Sequence, residues 1–243
     1  MRTLITALAL LQAGCVEAEA ACDATEFEGV PISVCVYPRD VDVRIHQRRL
    51  DGRPFSRPRQ IAEHLDNSER LLMAMNGGMY HANLSPVGLY MEAGTEVAPL
   101  QTRPGPGNFG LVPNGVFWVD GSGAHVTETL AFEALGASPD YATQSGPMLV
   151  VDGKLHPKFL AGSASLKIRN GVGVSADTVV FAKSEAPLNF HRFARLFRDA
   201  YGVDNALYLD GTVSRMWSAE LGASGRRYPI GPVIAVVESG GSE

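Results

Sequence analysis

The sequence predicts an α+β fold: a β-rich single domain with a mixed sheet and a few packed helices. Ten short apolar runs have the length of strands, and turn-forming residues bound most of them. Only three segments carry a helical pattern. No internal repeat or low-complexity linker divides the 243 residues, which suffice for one sizeable core. The predicted strands are 33–36, 41–45, 71–75, 87–91, 115–119, 148–151, 171–174, 179–182, 206–209 and 233–237.

The predicted helices are 60–66, 127–135 and 190–201. The second has Thr127 or Thr129 as its candidate N-cap. The third has the strongest pattern, because its apolar residues recur at the spacing of a buried helix face: Phe190, Phe193, Ala194, Phe197 and Tyr201. Asn189 is suited to cap its start and Gly202 its end. This helix lies between two predicted strands, which indicates one strand–helix–strand unit.

The N-terminus has the order of a secretory signal peptide. Arg2 precedes an apolar run at 4–11, which is shorter than the ~20 residues of a membrane-spanning helix. Ala18-Glu19-Ala20 then provides an A-x-A cleavage site. We therefore predict a signal peptide over residues 1–20, a mature domain over residues 21–243, no transmembrane helix, and a periplasmic or secreted location.

The three cysteines fit export. Cleavage after Ala20 removes Cys15 and leaves Cys22 and Cys35, an even pair that can form one disulfide in an oxidising compartment. Residues 11–15 also resemble a lipoprotein box, although Gln12 stands where such boxes have an aliphatic residue. A lipid anchor at Cys15 is thus an alternative, and we favour the soluble form.

The composition excludes several function classes. The net charge is −5, and no basic run indicates nucleic-acid binding. The six histidines show no spacing typical of zinc, and phosphate-loop, Gly-x-Ser-x-Gly and Cys-x-x-Cys motifs are absent from the sequence. We therefore predict no metal site and no cofactor.

In the stretch "ALYLDGTVSRMW", an apolar predicted strand is followed directly by the carboxylate of Asp210 and by Gly211. Asp-Gly is a common turn signal. The same placement is also typical of a reacting group that a rigid strand carries to the edge of a pocket. Beyond the turn, Ser214 adds a hydroxyl donor and Arg215 a cation.

Two other apolar segments adjoin small polar residues. Asn76-Gly77-Gly78 follows the predicted strand 71–75, and these glycines permit either a close backbone approach to a ligand or a positive φ. Ser145-Gly146 precedes a proline and a strand. Each motif alone is generic turn material.

A third segment, "KIRNGVGV", places Arg169-Asn170 at the entry to a glycine-containing apolar strand. A guanidinium in that position requires a carboxylate or phosphate partner. Two interpretations stay open here: an internal ion pair, with Asp210 as the candidate partner, and a ligand site. Together the four segments supply hydroxyl, amide, guanidinium and backbone donors with one carboxylate, which suits an anionic, polyhydroxylated ligand such as a sugar phosphate.

The motifs "NGGMY", "SGPML", "RNGVGV" and "ALYLDGTVS" occur in the order seen in the phosphodiester glycosidase domain family, the domain of the mannose 6-phosphate uncovering enzyme. The chain most resembles the compact exported bacterial members, from about residue 34 to residue 237. The resemblance implies hydrolysis of a sugar-1-phosphodiester to a sugar and a phosphomonoester. One departure is that Thr212 and Val213 precede Ser214, where many relatives have a second glycine and then a serine.

Carried over by motif, the implied catalytic residues are Asp210 and Arg169. The implied substrate-binding residues are Asn76, Gly77, Gly78, Ser145, Gly146, Asn170, Gly211 and Ser214. Glycosidases commonly use two carboxylates, one of them an acid that protonates the leaving group. A departing phosphate monoester has a second pKa near ~6 and can leave without full protonation. Arg169 and nearby donors would stabilise it, while Asp210 acts as nucleophile or stabilises the oxocarbenium ion.

Two alternatives remain. A non-catalytic envelope module would bind anionic glycan with the same pocket. A phosphodiesterase would attack phosphorus instead of the sugar carbon.

Overall fold

The computed structural model describes residues 21–211, 213–225 and 228–240. The strands within these ranges are β1 (Ala21–Phe27), β2 (Val30–Pro38), β3 (Asp42–His46), β4 (Glu69–Asn76), β5 (Tyr90–Glu92), β6 (Thr95–Ala98), β7 (Gly115–Asp120), β8 (Gly123–Glu128), β9 (Tyr141–Ser145), β10 (Met148–Val151), β11 (Lys154–Leu155), β12 (Asn170–Val174), β13 (Thr178–Ser184), β14 (Asn205–Asp210), β15 (Met216–Ser218), β16 (Gly222–Ser224) and β17 (Val233–Ser239). The helical elements are a 3₁₀ helix (Pro58–His64), α1 (Thr129–Leu135), α2 (Phe190–Arg195) and a π-helical turn (Leu196–Ala200).

The strands form three sheets. The first has seven strands in the order β1-β2-β13-β12-β14-β10-β11. The second has the order β16-β15-β4-β17-β3, and the third has the order β6-β5-β9-β7-β8. The β-rich character is confirmed. The predicted mixed sheet is wrong, because every strand pair among the described residues is antiparallel.

One central hydrophobic core receives side chains from all three sheets. Phe181 and Leu207 enter it from the first sheet, Met73 and Ile234 from the second, and Phe117 from the third. The outer face of each sheet has its own smaller cluster. The α2 segment packs on the first sheet, the 3₁₀ helix on the second and α1 on the third. The three sheets thus surround a shared core, and each is covered outside by one short helical element.

The apolar runs predicted the longer strands well. Each of the ten overlaps an observed strand, and 87–91 does so only through its last two residues. The sequence analysis missed seven strands. They are β1, β6, β8, β9, β11, β15 and β16, most of which are short or carry exposed polar side chains that leave little apolar pattern.

The helix predictions need three corrections. The first segment is a 3₁₀ helix, Pro58–His64. Neither threonine caps α1; the carboxylate of Glu128 accepts hydrogen bonds from the backbone N–H groups of Leu130 and Ala131. The third helix ends at Arg195 and continues as the π-helical turn. Its cap is confirmed, since the Asn189 side chain accepts from the N–H of Arg192 at 2.9 Å.

The predicted strand–helix–strand unit is present as β13, α2 and β14. Both strands pair antiparallel with β12, which lies between them, so they run parallel without touching. In the described part of the chain, the helices are all too short or too polar to span a membrane. The predicted Cys22–Cys35 disulfide is present and joins residues that face each other across β1 and β2. The predicted signal peptide and Cys15 lie outside the described residues.

Candidate active site

The polar motifs converge where the three sheets meet. Asn76 ends β4 of the second sheet, and Ser145 ends β9 of the third. Asn170 begins β12 and Asp210 ends β14, both in the first sheet. A strand end is anchored on one side by ladder hydrogen bonds and the core, so the side chains there are positioned by rigid elements.

A β-bulge positions Asp210. Asn170 lies opposite Asp210 and Gly171 opposite Tyr208, so Leu209 is the extra residue on β14. Leu209 points into the central core, while Tyr208 belongs to the cluster under α2. A bulge changes the direction in which the following side chain points. Here the extra residue brings Asp210 opposite Asn170 at the end of β14.

Asp210 is a partly buried carboxylate with few direct partners. The Asn76 Nδ2 amide donates to its Oδ2 at 3.3 Å, and the backbone N–H of Gly211 donates to its Oδ1. Burial raises the pKa of Asp210 to about 6, and the Gly211 hydrogen bond opposes that rise only in part. The carboxyl therefore titrates close to neutral pH.

Asn170 and Asn76 hold the ends of their strands together. The Oδ1 of Asn170 accepts from the N–H of Asp210 at 2.9 Å and from the Ser214 hydroxyl at 3.2 Å. The Nδ2 of Asn170 donates to the carbonyl of Asn76 at 3.0 Å. The Oδ1 of Asn76 in turn accepts from the N–H of Arg215 at 2.8 Å. This network ties the segment after Asp210 back to two sheets.

Ser145 also makes a hydrogen bond that connects two sheets. Its buried hydroxyl donates to the carbonyl of Leu209 at 3.0 Å, which links the third sheet to the bulge.

Two of the predicted site glycines, Gly78 and Gly146, allow neighbouring segments to pack closely. A Cβ at Gly78 would lie 2.4 Å from Oγ1 of Thr143, and one at Gly146 would lie 2.7 Å from Cβ of Asn114. A Cβ at Gly77 would make only ordinary van der Waals contacts, the nearest at 3.4 Å. Neither Gly77 nor Gly78 has a positive φ.

A cavity of about 850 Å³ opens beside Asp210. That volume is typical of small-molecule sites. Among the described residues that line it, Asp210 is the only carboxylate. These lining residues are Met79, Tyr80, His81, Ala82, Leu84, Val87, Pro106, Gly107, Asn108, Phe109, Lys167, Tyr208, Asp210, Gly211, Val213, Tyr228 and Pro229. Of the sequence-predicted site residues, Asp210 and Gly211 line the cavity. The other predicted site residues are not among the lining residues: Asn76, Gly77, Gly78, Ser145, Gly146, Arg169, Asn170 and Ser214.

Arg169 is 1% exposed and does not line the cavity. Its Nε donates to the carbonyl of Leu188 at 3.0 Å, and its Nη2 donates to that of Ser165 at 2.9 Å. Its guanidinium lies 3.6 Å from the ring centre of Phe190 and 5.5 Å from that of Tyr208. Burial lowers its pKa, and the neighbouring Tyr208 opposes that fall. Arg169 thus uses carbonyls and aromatic rings as its partners rather than an ion pair with Asp210.

Comparisons with known proteins identify the family of this chain. A family model described as phosphodiester glycosidase matches residues 69–237, which include all ten site residues predicted from the sequence. The chain belongs to the phosphodiester glycosidase family. It is also similar to the uncharacterized protein YigE of Escherichia coli strain K12, with 34% identity over 206 residues that cover 84% of this chain and 81% of that protein.

Three solved structures share the fold of this phosphodiester glycosidase family member. One is the zebrafish N-acetylglucosamine-1-phosphodiester alpha-N-acetylglucosaminidase catalytic domain, auto-inhibited by its pro-peptide, with a TM-score of 0.55 and 14% identity over 93% of this chain and 85% of that one. A hypothetical protein from Synechocystis has a TM-score of 0.57 and 14% identity over 90% and 61% of the two chains. A putative exported protein from Burkholderia pseudomallei K96243 has a TM-score of 0.58 and 11% identity over 86% and 74%.

The sequence analysis missed several cavity residues of this phosphodiester glycosidase family member. Tyr80, Lys167 and Tyr208 all line the cavity. Each lies inside or beside a quoted motif, so the signal was present, but an aromatic residue or a lysine at a strand end is common in structural roles. Within the described ranges, no cluster of three or more His, Cys, Asp or Glu side chains is arranged to hold a metal ion.

Proposed function

We propose that this protein is an exported hydrolase that cleaves the C1–O bond of a sugar-1-phosphodiester and releases the sugar and a phosphomonoester. Family membership supports the reaction class. The observation that carries the proposal is Asp210, the single carboxylate among the described residues lining the cavity, held at a strand end with a pKa of about 6.

The chemistry needs a negative charge near C1. As the C1–O bond breaks, its electron pair goes to the phosphate oxygen and positive charge develops on the sugar. In one route the Asp210 carboxylate stabilises that charge, and a water oxygen adds directly to C1. In the other route the carboxylate bonds to C1, and water then displaces it, so that the C1–Asp210 bond breaks as the bond between C1 and the water oxygen forms. The water proton passes to solvent or to Asp210. A phosphate leaving group does not require the second carboxylic acid that ordinary glycosidases use.

The leaving phosphate needs positive charge, which the site supplies in two ways. Lys167 lines the cavity directly. Arg169 lies behind Tyr208, and its positive charge counteracts the rise that burial causes in the pKa of Tyr208. We therefore assign Arg169 a positioning role, because it holds the ring of Tyr208 and the carbonyls of Ser165 and Leu188 in place. Its positive charge acts on the departing phosphate from behind the tyrosine ring.

The N-terminal sequence pattern and the disulfide support export. Structural disulfides persist in oxidising compartments, and Cys22–Cys35 joins two strands of the mature domain. A periplasmic or secreted location with residues 1–20 removed is part of the proposal. N-terminal sequencing and intact-mass measurement of the exported protein test it, with Ala21 as the expected first residue; a lipidated Cys15 would favour the anchored form.

The reaction is tested in water labelled with ¹⁸O on a panel of sugar-1-phosphodiesters. Mass spectrometry should find the label in the released sugar. Asp210→Asn should lose turnover by about 10³-fold or more, the scale expected when a group that acts in the transition state is removed. The matched control is Asp152→Asn, because Asp152 occupies an exposed Asp-Gly turn between β10 and β11.

Each alternative has its own outcome. Label in the phosphate would show attack at phosphorus and overturn C1–O cleavage. Binding without turnover in the wild-type protein, across the panel, would favour the non-catalytic envelope module. Near-normal turnover by Asp210→Asn would show that Asp210 has no catalytic role and serves only in the turn.

A further inference from the structure

A second buried cation, Arg215, is not itself a cavity-lining residue but lies against one, because its guanidinium carbon is 5.6 Å from the ring centre of Tyr228. Arg215 is 2% exposed. Its Nη1 donates to the carbonyls of Ser56 and Tyr228, the second at 2.8 Å. Its Nε and Nη2 have no hydrogen-bond partner among the described residues. Two donors of one guanidinium are thus buried and unused.

Tyr80 adds a third unused group. Its ring lines the cavity, and its hydroxyl is buried without a partner among the described residues. The ring packs directly on Gly231, where a Cβ would lie 2.4 Å from the Tyr80 Cδ1 atom. Burial raises the pKa of Tyr80 and the Asp210 charge raises it further, whereas the Arg215 charge lowers it. The hydroxyl therefore lies within the electrostatic reach of both residues.

Such an arrangement is costly in the empty protein. A buried donor without a partner destabilises the folded state, and a buried charge without a counter-ion does so more strongly. Burial lowers the pKa of Arg215, as expected for a cation that lacks a carboxylate. A water molecule would satisfy the hydrogen bonds but leave the charge uncompensated. An anionic group satisfies both.

The two flanks of Asp210 are electrostatically separate. Burial and Asp210 raise the pKa of both Tyr80 and Tyr208. The positive charge that opposes this rise comes from Arg215 for Tyr80 and from Arg169 for Tyr208. Lys167 also belongs to the cavity lining, beside Tyr208. Neither arginine pairs with a carboxylate among the described residues, and Nη1 of Arg169 is also buried without a hydrogen bond. Lys167 and Arg169 belong to the Tyr208 flank, which we assign to the phosphodiester, and Arg215 belongs to the Tyr80 flank.

We propose that Tyr80 and Arg215 form a subsite for a second oxyanion of the substrate, a carboxylate, sulfate or phosphate carried by the sugar in addition to the phosphodiester. The inference rests on the proposed function, because it assumes that the sugar lies at Asp210. It identifies the substrate class as an acidic sugar-1-phosphodiester. Tyr80 and Arg215 are then specificity-determining residues.

Equilibrium binding tests the subsite without turnover. Isothermal titration calorimetry compares glucose 1-phosphate with glucose 1,6-bisphosphate, which differ by one phosphate. The wild-type protein should bind the bisphosphate about tenfold more tightly or better, equivalent to about 1.4 kcal/mol. Tyr80→Phe should reduce that ratio to about threefold or less. The matched control Tyr141→Phe, remote from this cavity, should preserve the wild-type ratio.

Tyr80→Phe is a suitable probe because it removes a hydroxyl that no described residue uses. Its melting temperature without ligand should equal or exceed that of the wild type. Arg215→Lys, which keeps the charge, should retain part of the ratio, and Arg215→Met should abolish it.

Three results would overturn the subsite: no detectable binding of the bisphosphate, equal affinity for the two sugars, or an unchanged ratio in Tyr80→Phe. A lower melting temperature of unliganded Tyr80→Phe would do the same, by showing that the hydroxyl serves a buried water. Failure of the proposed function appears separately, as absent turnover with the binding ratio intact.

Discussion

The Nδ2 amide of Asn76 donates to the Oδ2 of Asp210 over 3.3 Å and so joins the ends of two strands that belong to different sheets. The same asparagine accepts through Oδ1 from the N–H of Arg215. One side chain therefore contacts the carboxylate at Asp210 and fixes the chain that follows it. The position of the carboxylate depends on the packing of whole sheets and not on a flexible loop.

Asp210 should control the pH dependence of turnover. Its pKa of about 6 means that the carboxylate form is gained as the pH rises through that value. If the carboxylate is the reacting form, kcat/KM should increase about tenfold per pH unit below pH 6 and level off above it. Steady-state rates from about pH 4 to about pH 8 measure this limb. A rate that falls as the pH rises through 6 would instead assign Asp210 the role of an acid.

Asp210→Asn should change stability in a pH-dependent way. A pKa raised from 3.8 to about 6 means that the folded state binds the proton more tightly than the unfolded state. The wild type therefore loses about 3 kcal/mol of unfolding free energy as the pH rises from about 4 to above 6. The Asn variant cannot titrate there, so its stability relative to wild type should increase over that window.

Urea unfolding at about pH 4 and about pH 7.5 measures this difference. Asp152→Asn, at an exposed turn, should show no such trend. A stability difference between wild type and Asp210→Asn that is the same at both pH values would contradict the raised pKa.

The sequence was sufficient to predict the strands that build the core, because apolar runs bounded by turn residues mark them directly. The sequence also contains, within the quoted motifs, Asn76, Ser145, Asn170 and Asp210, and hydrogen bonds connect these motifs in the structure. It did not reveal how they meet, because the bulge at Leu209 depends on pairing with β12. Arg169 illustrates the limit: its type predicted a need for partners, yet those partners are carbonyls and rings from residues 165, 188, 190 and 208.

The three-sheet arrangement was also beyond prediction. Short strands such as β15 and β16 have weak patterns, and they become strands because their neighbours offer open edges. Tyr80 and Arg215 became candidates only when their unused donors were found buried beside the cavity. Burial of a polar group without a partner is a tertiary property that no local pattern encodes.

Gly78 and Gly77 should respond differently to the same substitution. A Cβ at Gly78 would lie 2.4 Å from Thr143 Oγ1 and 2.6 Å from the Gln144 carbonyl oxygen, which belongs to the backbone and cannot easily move. Gly78→Ala should therefore lower the unfolding free energy by about 1–3 kcal/mol. At Gly77 the nearest atoms lie at 3.4 Å, so Gly77→Ala should change stability by less than about 1 kcal/mol. Similar losses in both variants would show that the close contact between Gly78 and β9 is not the reason for the glycine.

Arg169→Lys should show whether Arg169 acts on the leaving group while Asp210 acts on the sugar. Lysine keeps the charge but cannot reproduce the Nε and Nη2 bonds to Leu188 and Ser165 or the flat contact with Phe190. Tyr208 and Lys167 should then be less well positioned, and kcat on alkyl sugar-1-phosphodiesters should fall by about 10²-fold. Aryl phosphodiesters, which leave more readily, should recover part of that loss. They should not restore the kcat of Asp210→Asn to the same degree, because Asp210 acts on the sugar carbon.

The comparison requires kcat of both variants on matched aryl and alkyl substrates, with circular dichroism to establish that each variant is folded. Equal recovery of the two variants would place both residues on the same side of the breaking bond and remove the division of roles.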